Sequence, residues 1–406
     1  MIKVADAVVI GGGIVGCCMA AELAKEMGTV VLIERDDIET YASSSNFGMV
    51  WLQTRFPGYD TIMSRRTQGV YEDYIEKGEF DIDIEYEKKG GLTIAYQDIQ
   101  LEIMKKQCAE KQKVGTPMCM IDRADTLALE PNLSPEVKGA IFCGDDARVN
   151  PMMATLAYAN LARRRGCHII TKTEVVGILT EGNKVTGVQT TNGTIMTPVV
   201  VNAAGTWARN IAAMVGVDLP VFAQRLQALV TEPMPHLLNN RIIQVARDIE
   251  PGMDPEKATG FMFEYEGEQT EENLPQLPVE ETIFTYMQQT LSDTIAIGTT
   301  NEFVGHDIRT TPKALYAMMK GAVRAFPKLE NANIIRTWAS LVPFTFDGMP
   351  IVGKVDEVEG FILATGHGHA MCHAPALAFD LTELICRGNE LPMVKEKSIK
   401  RIPKSK

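Results

Sequence analysis

The spacing of hydrophobic and polar positions changes period several times along the chain. Val4 to Ile10, apolar except for Asp6 and ending in Val8-Val9-Ile10, has the pattern of a buried strand. From about Ile14 to Met27 apolar positions recur at helical spacing, with small Ala20, Ala21 and Ala24 suited to close packing. Thr29 to Ile33 is a second buried strand. Thr173–Leu179 and Lys184–Thr191 flank the turn Glu181-Gly182-Asn183, as in a β-meander. Val199–Val201 and Phe361–Ala364 read as further central strands. Gly90–Tyr96, Leu226–Thr231, Thr259–Tyr265, Thr282–Tyr286 and Thr294–Gly298 are also predicted as strands. Helices are expected at about Ile99–Lys113, Met152–Arg165, Pro312–Ala325 and Met371–Cys386, and the acidic stretch Glu264–Glu281, with Pro275 and Pro278, as a solvated loop.

Composition narrows the class of protein. With 406 residues the chain is long enough for two joined domains, and 23% charged residues is ordinary for a globular protein. A net charge of −12 leaves no electrostatic footprint for nucleic acid. The basic tail, 395–406, is expected to be a frayed, solvated end. No apolar run is long enough to span a bilayer, and none has the form of a signal peptide. The eight cysteines form no C-x-x-C pair, so no metal site is expected and a cytoplasmic chain with reduced thiols is.

The first candidate chemistry follows the first strand. Gly11, Gly13 and Gly16 form G-x-G-x-x-G: the first permits a tight turn, the second lets backbone approach a pyrophosphate, and the third lets helix pack on strand. The N-terminal dipole of the next helix favours phosphate. Glu34 ends the second strand, where a carboxylate accepts ribose hydroxyls. Strand, glycines, helix, strand and acid in this register predict a dinucleotide site.

Either FAD or NAD fits that unit, and three distant segments favour FAD. Ser43-Ser44-Ser45-Asn46-Phe47-Gly48-Met49 offers hydroxyls and N–H groups that continue along a pyrophosphate. Val199 to Trp207 is a β-branched run ending in small residues, Ala203-Ala204-Gly205. Phe361 to His369 runs into the glycine-rich turn Gly366-His367-Gly368-His369 and then a helix, whose dipole suits the negative charge of a reduced flavin. An NAD-dependent dehydrogenase would leave these later segments unexplained.

Taken together, these motifs resemble the D-amino-acid-oxidase-type FAD oxidoreductases, which include glycine and sarcosine oxidases. The resemblance covers nearly the whole chain. It includes Asn150-Pro151 after Asp145-Asp146, the Asn202–Gly205 strand end, Arg336-Thr337-Trp338-Ala339-Ser340-Leu341, Asp347-Gly348-Met349-Pro350 and Thr365-Gly366-His367. Trp51-Leu52-Gln53-Thr54 and Ser64-Arg65-Arg66 are most similar to the catalytic β-type subunits of opine oxidase, hydrogen cyanide synthase and dye-linked proline dehydrogenase. Such subunits work in hetero-oligomers whose other members accept electrons.

The resemblance implies an α/β (α+β) fold: a Rossmann-like FAD-binding domain from 1–85, 145–219 and 335–394. Interleaved with it, 86–144 and 220–334 form a substrate domain on a mixed or antiparallel sheet. It implies FAD contacts from the glycine turn with Ile14 and Val15, from Glu34 and Arg35, and from Ser43, Ser44, Ser45, Asn46, Gly48 and Met49. Val175, Ala203, Ala204, Gly205, Trp207, Gly348 and Gly366 to His369 complete that set. The implied reaction is hydride transfer from the carbon of a C–N bond to flavin N5, on an amine, imino acid, opine or amino acid.

The chain departs from the family pattern where substrate carboxylate is bound. Relatives place an Arg within G-L-R-P and another just after T-G-H; here those positions hold Val342 and His369. A guanidinium fork is not reproduced by either residue. Either another cation serves, with Arg55, Arg225 and Arg309 as candidates, or the substrate is not a simple α-amino acid. A FAD-carrying electron-transfer or structural subunit is the competing reading. His367 and His369 are the candidate catalytic residues, His373 a structural one, and H-x-H-x-x-x-H a weaker metal pattern. Trp51, Tyr265 and Trp338 are candidate walls of the substrate cavity, beside Val342.

Overall fold

The computed structural model describes residues 2–239, 241–249 and 270–402. In chain order the strands are β1 Ala7–Ile10, β2 Val30–Ile33, β3 Met49–Val50, β4 Gly91–Ala95, β5 Met118–Asp122, β6 Gly139–Cys143, β7 Ala147–Arg148, β8 His168–Ile170, β9 Val175–Glu181 and β10 Lys184–Thr190. They continue with β11 Gly193–Met196, β12 Val200–Asn202, β13 Phe222–Pro233, β14 Ile242–Val245, β15 Thr285–Gln289, β16 Thr294–Gly298, β17 Ile334–Phe344, β18 Ile351–Val355 and β19 Val358–Thr365.

A nine-stranded sheet runs β11-β10-β19-β12-β1-β2-β8, with β18 added on β19 and β9 on β10. Its central strands β19, β12, β1, β2 and β8 are parallel, so their C-terminal ends share one edge. Apolar side chains on both faces explain their unbroken hydrophobic runs: every residue of β1 and β2 is buried. One face carries the helices Ile14–Glu26, Pro151–Arg164 and Ala370–Arg387. Asn150 caps the second of these, accepting from Met153 N at 3.3 Å, and Pro151 opens it.

An eight-stranded sheet runs β17-β13-β16-β15-β14-β4-β6-β5, antiparallel except for the parallel pair β14–β4. The amphipathic helix Pro312–Ala325 buries Ala314, Met318, Ala322 and Ala325 against this sheet. Membership differs from expectation at one border. The segment 335–394 was expected to lie wholly with the nucleotide-binding layer, but β17 pairs along β13 from Ile334 to Phe344. The first-layer contribution therefore resumes only at β18.

Other differences have local causes. The helix Tyr59–Glu76 was not expected, because its buried stripe includes polar Asp60, Ser64, Thr67 and Gln68. The tail is not frayed through 402: Arg401 pairs with Asp347 at 2.7 Å, and Ile399 and Ile402 pack on the core. The expected strand Thr259–Tyr265 lies outside the described residues, as does part of Glu264–Glu281; from 270 that stretch holds short 3-10 turns and the buried Leu274. Among the described residues no helix is long and apolar enough to cross a membrane.

Candidate active site

The C-terminal ends of β1, β2, β12 and β19 open onto one cavity of about 440 Å³, which continues to the face of the second sheet. Its first end is built by close backbone approach. A β-carbon on Gly11 would lie 2.5 Å from the Ala203 carbonyl oxygen, and one on Gly13 would lie 2.8 Å from Ser43 Oγ. Gly16 does not line the cavity; it lies beneath, where a β-carbon would sit 1.9 Å from the Gly11 carbonyl oxygen. Ser43 Oγ accepts from Ile14 N at 2.9 Å and ties the serine segment to the start of the helix.

Glu34 is fixed at the end of β2. Its carboxylate accepts from Gly12 N and Asp36 N, each at 2.7 Å, and retains further lone pairs toward the cavity. Arg35 lies 4.5 Å from the Trp207 ring, beside Tyr41. Ile14, Val15, Val175, Ala203, Ala204 and Gly205 also line this end. Ser45, Asn46, Met49, Gly348 and the turn Gly366–His369 line the remainder, whereas Ser44 and Gly48 do not. Gly48 instead adopts φ +62°, where a β-carbon would meet the Val149 carbonyl oxygen at 1.9 Å.

These residues fit a dinucleotide that carries a polar ring system. The glycine cradle excludes side chains, the strand-end carboxylate suits a ribose, and buried His367 has both ring nitrogens without a protein partner. Burial pushes His367 well below the usual imidazole range, so it is neutral at physiological pH.

The other end of the cavity is apolar around one cation. Phe47, Phe56, Leu226, Phe284 and Val342 form its walls, with Tyr286, Thr299 and Asn301 adding polar edges. Arg55 lies among them. It is 4% exposed; Nη2 donates to Thr54 Oγ1 at 2.8 Å, while Nε and Nη1 make no hydrogen bond. The other two cations named from the sequence are spent elsewhere. Arg225 pairs with Glu302 at 2.9 Å and Asp307 at 3.2 Å, and exposed Arg309 also pairs with Asp307; neither lines the cavity.

Two expected wall residues are not walls. Trp51 is fully buried behind the cavity, edge-on to Tyr286 with ring centroids 6.1 Å apart. Trp338 donates to the Ser45 carbonyl at 3.0 Å and so holds the serine segment from outside the cavity. Tyr265 lies outside the described residues.

His369 lines the cavity with 32% of its side chain exposed. Desolvation, and then the Arg55 charge, push it down to about 3 against the pull of Asp60. Asp60, in the first turn of Tyr59–Glu76, was missed from the sequence. Its Oδ1 accepts from His373 Nε2 at 2.5 Å and lies 4.0 Å from His369 Nδ1, while Oδ2 accepts from Phe56 N at 3.0 Å. Burial alone would raise this carboxyl, but Arg55 and His373 outweigh it and hold Asp60 well below the usual carboxylate range. Of the three histidines, His373 has its Nε2 engaged by Asp60, with its ring centroid 5.8 Å from that of His367 and 6.3 Å from that of His369. Among the described residues no group of three or more potential ligands could hold a metal ion.

Residues 6–384 match the family model described as FAD dependent oxidoreductase. The chain is 27% identical to hydrogen cyanide synthase subunit HcnC of Pseudomonas protegens, over 97% of this chain and 95% of that protein. It is 26% identical to glycine oxidase of Pseudomonas putida, over 93% of each. Among solved structures, L-proline dehydrogenase from P. horikoshii superposes with a TM-score of 0.82 at 28% identity, over 98% of this chain and 97% of that one.

Proposed function

Because the chain belongs to the FAD dependent oxidoreductase family, we propose that it oxidises the C–N bond of a small amine bearing a carboxylate, which Arg55 anchors. The observation that carries this reading is the buried guanidinium in the cavity wall, with Nε and Nη1 free of protein partners. Buried guanidinium donors without acceptors are costly, and a carboxylate supplies the planar, charged acceptor that they lack. Bound FAD supplies a two-electron acceptor for the hydride that leaves the carbon beside nitrogen.

The chain's own residues hold, orient and shield. Gly11, Gly13, Ser43 and Glu34 would hold the ADP half, and Gly348 with Gly366 to His369 the ring. Phe47, Phe56 and Phe284 exclude water from the substrate end, which strengthens the Arg55–carboxylate attraction. His369 is uncharged and accepts a hydrogen bond from the substrate's nitrogen. Thr299 and Asn301 offer polar contacts beside it.

The substrate class spans α-amino acids, cyclic imino acids and opines. The names of the similar glycine oxidase and L-proline dehydrogenase support a carboxylated amine. The name of the HcnC relative, a synthase subunit, supports a partner subunit in a hetero-oligomer. Eight free cysteines accord with a cytoplasmic site of action.

The test is anaerobic. Purified protein should release FAD on denaturation, and its flavin should bleach with at least one carboxylated amine, alone or with partner subunits restored. A fully loaded flavin that no such amine bleaches would leave an electron-transfer or structural role.

A further inference from the structure

His373 is buried and does not line the cavity, yet it connects the two ends of the site. It stands in the first turn of the helix Ala370–Arg387, directly after the Gly366–His369 turn assigned to the flavin ring. From there Nε2 donates to Asp60 Oδ1 at 2.5 Å, and Asp60 Oδ2 accepts from the N–H of Phe56, the residue after Arg55, at 3.0 Å. We infer that His373 and Asp60 form a strut that sets the place of the Arg55 guanidinium relative to the flavin, both acting as positioning residues. This rests on the reading of Arg55 as the carboxylate anchor.

The segment that carries Arg55 cannot place it unaided. Residues 51–58 belong to no helix or strand, so their course depends on hydrogen bonds made to neighbouring elements. At the start, the Asp146 carboxylate accepts from Leu52 N at 2.6 Å and Gln53 N at 3.2 Å. Arg55 N then donates to the Leu52 carbonyl at 3.1 Å. Beyond Arg55, the Phe56 carbonyl accepts from Thr61 N at 3.1 Å and Thr61 Oγ1 at 2.7 Å, and Asp60 holds the Phe56 N–H. The Arg55 side chain itself makes one hydrogen bond, to its neighbour Thr54. Its position is therefore inherited from the backbone on either side.

A carboxylate suits the strut because each oxygen is an acceptor: one meets the cofactor-side helix, the other the loop of the anchor. Asp60 is ionised, so the shared hydrogen sits on His373 Nε2, and the bond is of the stronger, charge-assisted kind. The strut is not what joins the two helices. Met63, Tyr71, Leu377 and Leu381 share one apolar core, and Arg66 pairs with Asp380 at 2.6 Å. Loss of the strut therefore displaces a loop and leaves the layers packed. Hydride transfer is sensitive to such a displacement, since a reacting group misplaced by about 1 Å loses about 100-fold in rate.

The experiment uses the FAD-loaded protein, with propionate as the carboxylate probe and propionamide as its uncharged match, binding being read from the flavin spectrum. His373→Leu removes the donor at similar bulk, and His373→Gln returns an amide N–H near the place of Nε2. His373→Leu should weaken propionate by about tenfold and propionamide by no more than about twofold, at unchanged flavin content. His373→Gln should recover most of the lost affinity. Should His373→Leu not load FAD, Asp60→Asn decides, because its amide cannot accept from both His373 and Phe56; the same selective loss is expected. Failure of both to load FAD assigns the pair to the framework and overturns the strut. So does an equal loss for propionamide, a loss that His373→Gln does not restore, or unchanged propionate affinity, each leaving the Arg55 anchor standing. Propionate binding that Arg55→Lys does not weaken overturns the anchor and the strut together.

Discussion

Replacing Arg55 by Lys tests the site most directly, because it keeps the charge that offsets Asp60 and removes the guanidinium fork. In the structure Arg55 spends one hydrogen bond on Thr54, while Nε and Nη1 remain free in an apolar, buried wall. A hydrogen bond to a charged group contributes about 1.5–3 kcal/mol, and a lysine reaching the same carboxylate would forfeit roughly one of two. The expected loss is therefore about 10- to 100-fold in substrate or carboxylate affinity, at about 1.4 kcal/mol per factor of ten. Stopped-flow flavin reduction separates the terms: the concentration for half-maximal rate should rise, with a smaller change in the limiting rate. An amine without a carboxylate should be indifferent to the change. Unaltered carboxylate affinity in a variant with normal flavin content and Tm would refute the assignment of Arg55.

Two further substitutions test the frame. Gly16→Ala places a β-carbon 1.9 Å from the Gly11 carbonyl oxygen, so the helix Ile14–Glu26 must lift from β1. The flavin-to-protein ratio should fall sharply along with Tm, and full occupancy would show that the close approach is dispensable. Glu130→Gln tests a buried carboxyl raised to about 7 by burial against its Asn239 and Arg241 partners. Because its folded pKa is raised, its stability contribution is fully present below its ordinary value of 4.5 and lost as pH rises through about 7. That loss is up to about 3 kcal/mol. Thermal melts of the variant should decline less than wild type between about pH 5 and pH 8, and an identical decline would assign the slope elsewhere.

Asp60 shows why part of the site was hidden in the sequence. The hydrophobic period that revealed β1, β2 and the glycine turn reports how a segment buries apolar surface, so a helix whose inner stripe is Asp60, Ser64, Thr67 and Gln68 passes unnoticed. A stripe at positions 60, 64, 67, 71 and 74 does have helical spacing. Only a partner across the fold, His373, makes Asp60 an interior group.

What the sequence specified alone was the proposed cofactor end. A strand, three glycines, a helix and Glu34 interact within a short stretch of chain, so their spacing carries their geometry. The later turn at Gly366–His369 was legible for the same reason. The proposed substrate end is assembled by tertiary structure. Arg55, Phe47, Phe284, Asn301 and Val342 come from separate elements, and no local spacing brings them together. The sequence showed that the expected arginines were missing and named Arg55, Arg225 and Arg309 as equals. Burial and pairing ranked them, since Glu302 and Asp307 occupy Arg225 and Asp307 also holds Arg309, whereas Arg55 keeps free donors inside the cavity. The availability of a cation depends on its neighbours in space, and these the chain's order does not record.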